Sequence, residues 1–119
     1  MIQKIEIEGI HTEVSEDLDK YITKKIGKLD QYVSRHARES LHAEVKLSEH
    51  KIKTRKQCTC EVIVHLPKEV ITVKESTLNM FAAVDIVEAK LKNLLKKYKD
   101  THEGGFRLHR KLLAKMKRR

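Results

Sequence analysis

Hydrophobic residues recur with two different periods in the first third of the chain. Ile5 and Ile7 alternate with charged neighbours in "KIEIEG", which predicts a short half-buried strand ending at Gly9. Further along, apolar residues follow one another at intervals of three and four, the spacing of one helical face. This pattern predicts a helix over about 15–34, with Ser15 as its N-cap.

The middle of the chain contains three predicted strands. "LHAEVKL" at 41–47 alternates strictly between apolar and polar residues, as a half-buried strand does. "CTCEVIVHL" at 58–66 places an apolar residue at every second position from Cys58 to Leu66, and "VITVKE" at 70–75 follows as the third strand. Pro67 lies in the short connection between the last two strands, which predicts a hairpin. Residues 48–56 show no apolar period and carry four cations, so we expect a basic loop there.

A second helical face follows the last strand block. We expect Ser76 or Thr77 to cap this helix, whose apolar stripe runs from Met80 to Tyr98. The element order is β-α-β-β-β-α, and it predicts an α+β fold in which two helices pack on one face of a four-stranded sheet. We expect one domain over 1–100 and a basic flexible tail over 101–119.

Positive charge is concentrated towards the C-terminus. The whole chain has a formal net charge of +9, and residues 100–119 hold seven Lys or Arg against two acids, which leaves +4 for residues 1–99. After the glycine pair Gly104-Gly105, the composition fits an arm that orders on a partner better than it fits a short basic helix. A charge balance of this kind favours a polyanionic partner.

Lysines also cluster on both predicted helices. Lys24, Lys25 and Lys28 lie on the first. The second ends with five lysines and no acidic residue among them: Lys90, Lys92, Lys96, Lys97 and Lys99. The helix dipole accounts for one or two cations at a helix end. Five that lack a nearby acid repel one another, so we expect them to be unpaired and to bind a polyanion.

The polyanion is predicted to be nucleic acid rather than a membrane surface. Both apolar stripes are needed for the core, which leaves no apolar face to enter lipid. The chain has five aromatic residues, most at predicted core positions, so contact with backbone phosphates is favoured over base stacking. We find neither a bilayer-spanning apolar run nor a signal peptide in the sequence, and we expect a cytoplasmic protein.

Catalytic and metal-binding motifs are weak. The sequence contains no P-loop, no nucleophile elbow and no dinucleotide fingerprint, so we predict neither an enzyme nor a cofactor. Cys58 and Cys60 are compatible with half a metal site, but no second Cys/His pair stands at zinc spacing. Free thiols and no bound metal are therefore expected.

Two segments resemble the bacterial ribosome hibernation promoting factors, the sigma-54 modulation protein family that includes ribosome-associated inhibitor A. The first is "GIHTEVSEDLDKYITKKIGKLDQY", with the matching residues Gly9, Glu13, Val14, Ser15, Leu18, Lys25, Lys28 and Leu29. The second is "ESTLNMFAAVDIVEAKLKNLLKKYKD", with the matching residues Met80, Phe81, Ala83, Val84, Asp85, Lys90, Leu91, Leu95, Lys97 and Lys99. The resemblance implies the same β-α-β-β-β-α fold.

The resemblance also implies a function. Such a factor binds the 30S subunit at the decoding region, across the messenger RNA path and the tRNA A and P sites, and so keeps 70S ribosomes inactive. It implies that 16S rRNA phosphates meet Lys25, Lys28, Lys90, Lys97 and Lys99. On charge alone we add Lys24, Lys92, Lys96, Arg107, Arg110 and Lys111. A general double-stranded RNA-binding module is the alternative, because a sheet backed by two helices is also the layout of such domains.

This sequence departs from the family pattern in three places, one of which is a strongly basic tail unlike the acidic or short tails of some relatives. Asn93-Leu94 stands where the family often has Arg-Gln. The sequence printed here ends at Arg119, so we expect a short form that lacks the C-terminal dimerisation domain and is a monomer off the ribosome. The resemblance is compatible both with a factor that promotes ribosome dimers and with one that keeps single ribosomes inactive.

Overall fold

A computed structural model describes residues 1–103 of the 119-residue chain. The elements are β1 (Lys4–Ile10), α1 (Glu16–Gly27), a 3-10 helix (Lys28–Tyr32), α2 (Arg35–Arg38), β2 (His42–Ile52), β3 (Arg55–His65), β4 (Val70–Thr77), α3 (Met80–Tyr98) and a π-helical turn (Lys99–Glu103). The predicted order β-α-β-β-β-α is confirmed, and the short α2 is an addition to it.

The four strands form one mixed sheet in the order β1-β2-β3-β4. β1 runs parallel to β2 because α1 crosses over between them, whereas β2–β3 and β3–β4 are antiparallel. Ile7 lies beside Val45, Val45 opposite Val62, and Val62 opposite Val73. One sheet face therefore carries a continuous apolar row, and the predicted β3–β4 hairpin is confirmed.

Both long helices cover this apolar face. The stripe of α1 buries Leu18, Ile22 and Ile26, and the stripe of α3 buries Met80, Ala83, Val84, Val87, Leu91, Leu95 and Tyr98. Ile22, Ile26, Leu91 and Leu95 are completely inaccessible to solvent. The predicted two helices on one side of a four-stranded sheet are confirmed, and the polar residues of the strands are left on the opposite face.

The first helix is shorter than predicted. The α-helix ends at Gly27, and the chain continues through the 3-10 helix before Ser34 caps α2 by accepting a hydrogen bond from the amide of Ala37 at 3.2 Å. The apolar spacing misled the prediction because Leu29 and Val33, which lie beyond α1, remain buried in the same core. A tighter helical turn keeps these side chains inward without continuing the α-helix.

The predicted basic loop over 48–56 is wrong. These residues lie in β2 and β3, which pair as far as Ile52 and Arg55 and leave two residues in the turn. Pairing of β2 with β1 stops at Ser48, and pairing of β3 with β4 begins at Cys58. The end of the hairpin is thus a two-stranded ribbon exposed on both faces, and no burial imposes an apolar period on its sequence.

The cap of α3 also differs from the prediction. Ser76 and Thr77 belong to β4, and the hydroxyls of Ser76 and Thr59 lie 2.8 Å apart across β3 and β4. Asn79 is the N-cap, because its side-chain oxygen accepts a hydrogen bond from the amide of Phe81 at 2.8 Å. Pairing of β4 with β3 therefore outweighs the preference of Ser76 and Thr77 for the N-cap position of a helix.

The C-terminal end of the described chain remains helical. Residues 101–103, which the prediction assigned to the tail, belong to the π-helical turn that follows α3. The rest of the predicted tail, 104–119, lies outside the described residues. None of the helices within residues 1–103 combines the length and apolar character needed to cross a bilayer.

Candidate nucleic-acid interface

The outward sides of α1 and α3 face away from the sheet together. Lys24 and Lys28 are exposed, on α1 and at the start of the 3-10 helix, and neither has a carboxylate partner within residues 1–103. Lys20 instead pairs with Glu16 at 3.3 Å along α1. Unpaired ammonium groups on a surface are the ones that can displace counterions from phosphates, so Lys24 and Lys28 suit a polyanion.

Lys25 lies in the seam between α1 and α3, beside two acids. Its Nζ is 3.5 Å from Asp85 Oδ1 and 3.6 Å from Glu88 Oε2, and attraction to Glu88 is the largest cause of its raised pKa. The Tyr21 hydroxyl donates a hydrogen bond to Asp85, which raises the pKa of Tyr21. Lys25 therefore helps to join the two helices, and its charge is less available to phosphate than that of Lys24.

Tyr32 brings two of the predicted contact lysines together. The Nζ atoms of Lys92 and Lys96 lie 5.6 Å and 5.5 Å from the centroid of its ring. The electron-rich ring face attracts both cations, which offsets part of their mutual repulsion. Neither lysine has a carboxylate partner among the described residues. Tyr32 was overlooked in the sequence because its contact is with an element sixty residues further along the chain.

Lys90 and Lys97 lie on the other flank of α3, towards β4. The Lys90 ammonium donates a hydrogen bond to the Glu75 carboxylate on β4. Lys97 borders a shallow hollow with Ile71 and Leu94. The expectation that all five lysines are unpaired is therefore wrong for Lys90, since an acid absent from the helix is supplied by a neighbouring strand.

The structure thus divides the predicted contact residues into separate groups. Four cations that lack a carboxylate partner within residues 1–103 lie on α1, the 3-10 helix and α3, and we call them the outer lysine group: Lys24, Lys28, Lys92 and Lys96. Lys28 opens the 3-10 helix that Tyr32 closes, which links the two halves of the group. Lys99 is half-buried at the C-cap of α3. Three predicted residues lie outside the described chain: Arg107, Arg110 and Lys111.

A second basic region lies at the tip of the β2–β3 hairpin. Lys51, Lys53 and Arg55 are exposed there without a carboxylate partner in the described chain, whereas Lys56 pairs with Glu49 at 3.2 Å. The sequence revealed this cluster of cations, but we did not include it among the contact residues. The two paired strands hold these cations on a defined ribbon instead of a loop.

The two cysteines have the properties of core residues. Cys58 and Cys60 are free and buried in β3. Burial raises the pKa of both thiols, that of Cys60 to about 12. The thiolate is the nucleophilic form, so burial makes both thiols unreactive at neutral pH.

Comparison with protein families identifies the chain. The model of the family described as "Sigma 54 modulation protein / S30EA ribosomal protein" matches residues 5–103. The chain belongs to this family. The match includes both segments in which the sequence resembles hibernation factors, so that resemblance is confirmed.

Two curated relatives show the extent of the similarity. The ribosome hibernation promotion factor of Lactococcus lactis subsp. cremoris (strain MG1363) is 28% identical over 96 residues, which cover 81% of this chain and 49% of that protein. The factor of the same name from Staphylococcus aureus (strain COL) is 26% identical over 98 residues, covering 81% and 48%. The chain spans about half the length of these relatives.

Solved structures show the same architecture. The Thermus thermophilus Protein Y N-terminal domain superposes with a TM-score of 0.68 at 26% identity, covering 81% of this chain and 99% of that domain. A ribosomal subunit interface protein from Coxiella burnetii superposes with a TM-score of 0.64 at 22% identity, covering 83% and 100%. The second likeness supports the fold alone.

Proposed function

We propose that the chain is a ribosome hibernation factor that binds the 30S subunit at the decoding region and blocks translation by occupying the path of messenger RNA and tRNA. The observation that carries this proposal is the match of the S30EA family model to residues 5–103. The charge distribution supports it, because the outer lysine group presents unpaired ammonium groups on one side of a folded domain.

The geometry favours recognition of phosphates held in a fixed arrangement. Lys25, with Asp85 and Glu88, ties α1 to α3, and Tyr32 positions Lys92 and Lys96 against the same seam. The spacing of the outer lysines is therefore set by packing, which suits a folded ribosomal RNA surface such as that of 16S rRNA. Phosphate contacts position a protein without reading sequence.

Occlusion of a binding path requires neither turnover nor a cofactor. We therefore propose a stoichiometric inhibitor that is not an enzyme, acts in the cytoplasm and is a monomer when it is not bound to a 30S subunit or a 70S ribosome. The hairpin-tip cations, Lys51, Lys53 and Arg55, extend beyond the sheet and provide a further point of contact with ribosomal RNA.

Sedimentation through a sucrose gradient tests the proposal. At low salt we expect the full chain to travel with 30S subunits and 70S ribosomes, and to return to the top of the gradient at high salt because several phosphate contacts are lost together. Excess duplex RNA should not displace it from 30S subunits. Displacement by any duplex would instead indicate a general double-stranded RNA-binding module.

A charge-reversal pair tests the surface itself. Lys24→Glu with Lys28→Glu should weaken 30S binding and relieve inhibition of translation in vitro, because repulsion replaces attraction at two exposed positions. Lys4→Glu with Lys74→Glu is the matched control, since both lysines are exposed on the helix-free side of the sheet and the change in net charge is the same. Equal loss of binding in both pairs would refute this orientation on the ribosome.

A further inference from the structure

Four side chains capable of metal binding or of orienting a ligand meet on the sheet face opposite the helices. Glu6 of β1 lies beside Glu44 of β2 in the parallel register, and His42 precedes Glu44 by two residues on the same face. His65 of β3 lies opposite His42. Three strands therefore bring two carboxylates and two imidazoles to one patch, away from the outer lysine group.

Three of these residues have the geometry of a ligand set. One donor atom each from Glu6, His42 and Glu44 lies within 4.8 Å of the others. Donors bound to one tetrahedral zinc ion stand about 3.4 Å apart, given bonds of about 2.0–2.2 Å. Glu6 is exposed, so its side chain is free to rotate and bring its carboxylate closer to the donor atoms of His42 and Glu44.

Ordinary surface pairing accounts for part of the cluster. His65 Nε2 lies 2.8 Å from Glu44 Oε2, and the rings of His65 and His42 stack with centroids 4.9 Å apart. The hydrogen bond to His65 is the main cause of the lowered pKa of Glu44. These contacts give Glu44 and His65 a partner, but they leave Glu6 beside another carboxylate, where like charges on adjacent strands repel.

His42 supplies a second, independent observation. Its Nε2 atom is buried and has no hydrogen-bond partner among the described residues. Buried polar atoms are almost always paired in native proteins, and one that is not requires an explanation. A cation bound by His42 Nε2, Glu6 and Glu44 would give this nitrogen a partner and would remove the repulsion between the two carboxylates.

We propose that Glu6, His42 and Glu44 bind one divalent transition-metal ion, with Zn²⁺ as the best match. An imidazole nitrogen together with two carboxylate oxygens suits zinc, whereas calcium and magnesium favour sites made of oxygen ligands alone. His65 acts as a positioning residue, because its hydrogen bond holds one oxygen of Glu44 and leaves the other for the ion. The ion joins β1 to β2 on the face that the helices leave open.

Calorimetric titration of the full chain with Zn²⁺, after treatment with a chelator, tests this site. We expect one ion per chain and a rise in the unfolding midpoint with zinc concentration, because the ion binds the folded state. His42→Gln and Glu6→Gln should each lower the affinity more than 100-fold, and His65→Gln by roughly 10- to 100-fold, as is typical of residues that orient a ligand. Glu6 is exposed, so its variant remains informative if the His42 variant does not fold.

His36→Gln is the matched control, because His36 is an exposed histidine on α2, outside the cluster. We expect its zinc affinity to equal that of the parent, and the ¹⁵N resonances of the His42 ring to shift on binding. The proposal is overturned if the chain shows no saturable uptake at about 100 µM free Zn²⁺. It is equally overturned if Glu6→Gln and His42→Gln bind zinc as the parent does, since the ion then lies elsewhere.

Discussion

Neutralising the two lysines beside Tyr32 provides a quantitative test of the proposed RNA surface. In the variant Lys92→Gln with Lys96→Gln, both side chains keep their approximate length and lose their charge. Each loses a cation–π contact with a half-exposed ring, worth about 0.5–1 kcal/mol at such a site. The buried stripe of α3 is untouched, so the variant should remain folded, given a typical stability of about 5–15 kcal/mol.

The expected effect on RNA binding follows from counterion release. Each lysine that neutralises a phosphate contributes about 0.7–0.9 to the slope of log affinity against log salt concentration. Loss of two such contacts should reduce the slope by about 1.4–1.8. The ratio of the parent's affinity to the variant's affinity should therefore fall about 10-fold between 50 and 200 mM salt. Lys25→Gln should change the slope less, since Asp85 and Glu88 already offset its charge.

Fluorescence anisotropy with purified 30S subunits across a series of salt concentrations measures these slopes. Lys4→Gln with Lys74→Gln is the matched control and should retain the slope of the parent. If the Lys92 and Lys96 variant remains folded by circular dichroism and its slope lies within about 0.5 of that of the parent, the two lysines meet no phosphate. The outer lysine group would then be a solvated surface.

Three further predictions concern the domain itself. Cys60, with its raised pKa and buried position, should resist alkylation at pH 8 in the native protein and react on unfolding, as a thiol assay would show. Leu91→Ala should lower the free energy of unfolding by about 2–5 kcal/mol in urea denaturation, because it leaves a cavity in the core. The raised pKa of Tyr21 implies stabilisation that is complete below its unfolded pKa near 10 and is lost as pH rises through the folded value. Tyr21→Phe should reduce this alkaline dependence in thermal melts.

The periodic parts of the sequence predicted the fold well. Burial selects apolar residues at fixed intervals, so their spacing indicates which side of an element faces the core. This holds for strands with one buried face, such as 41–47, and for the helical stripe from Met80 to Tyr98. The spacing of apolar residues misleads where a residue is buried outside a regular element, or where paired strands are not buried. Val33 is buried beyond the end of α1, and the ribbon over 50–56 is exposed on both faces although its strands are paired.

The candidate site was less predictable, because its electrostatics depend on contacts between distant elements. The sequence located the lysines but could not show that Glu75 of β4 pairs with Lys90, or that Asp85 lies beside Lys25. Tyr32 gave no local signal, since its role arises from the packing of the 3-10 helix against α3. Charge counted along one helix therefore overestimates the charge available to a partner.

The parallel pairing of β1 with β2 has a consequence for the order of folding. The hairpins β2–β3 and β3–β4 close short loops, whereas Lys4 meets His42 only after the whole crossover through α1 has formed. Closing the longer loop costs more chain entropy, so we expect the strand synthesised first to join the sheet last. Until it does, the edge of β2 remains open to pairing with a second nascent chain. A chain with this topology is therefore most prone to misassembly during its own synthesis, and pulse-labelled hydrogen exchange should show late protection of residues 4–10.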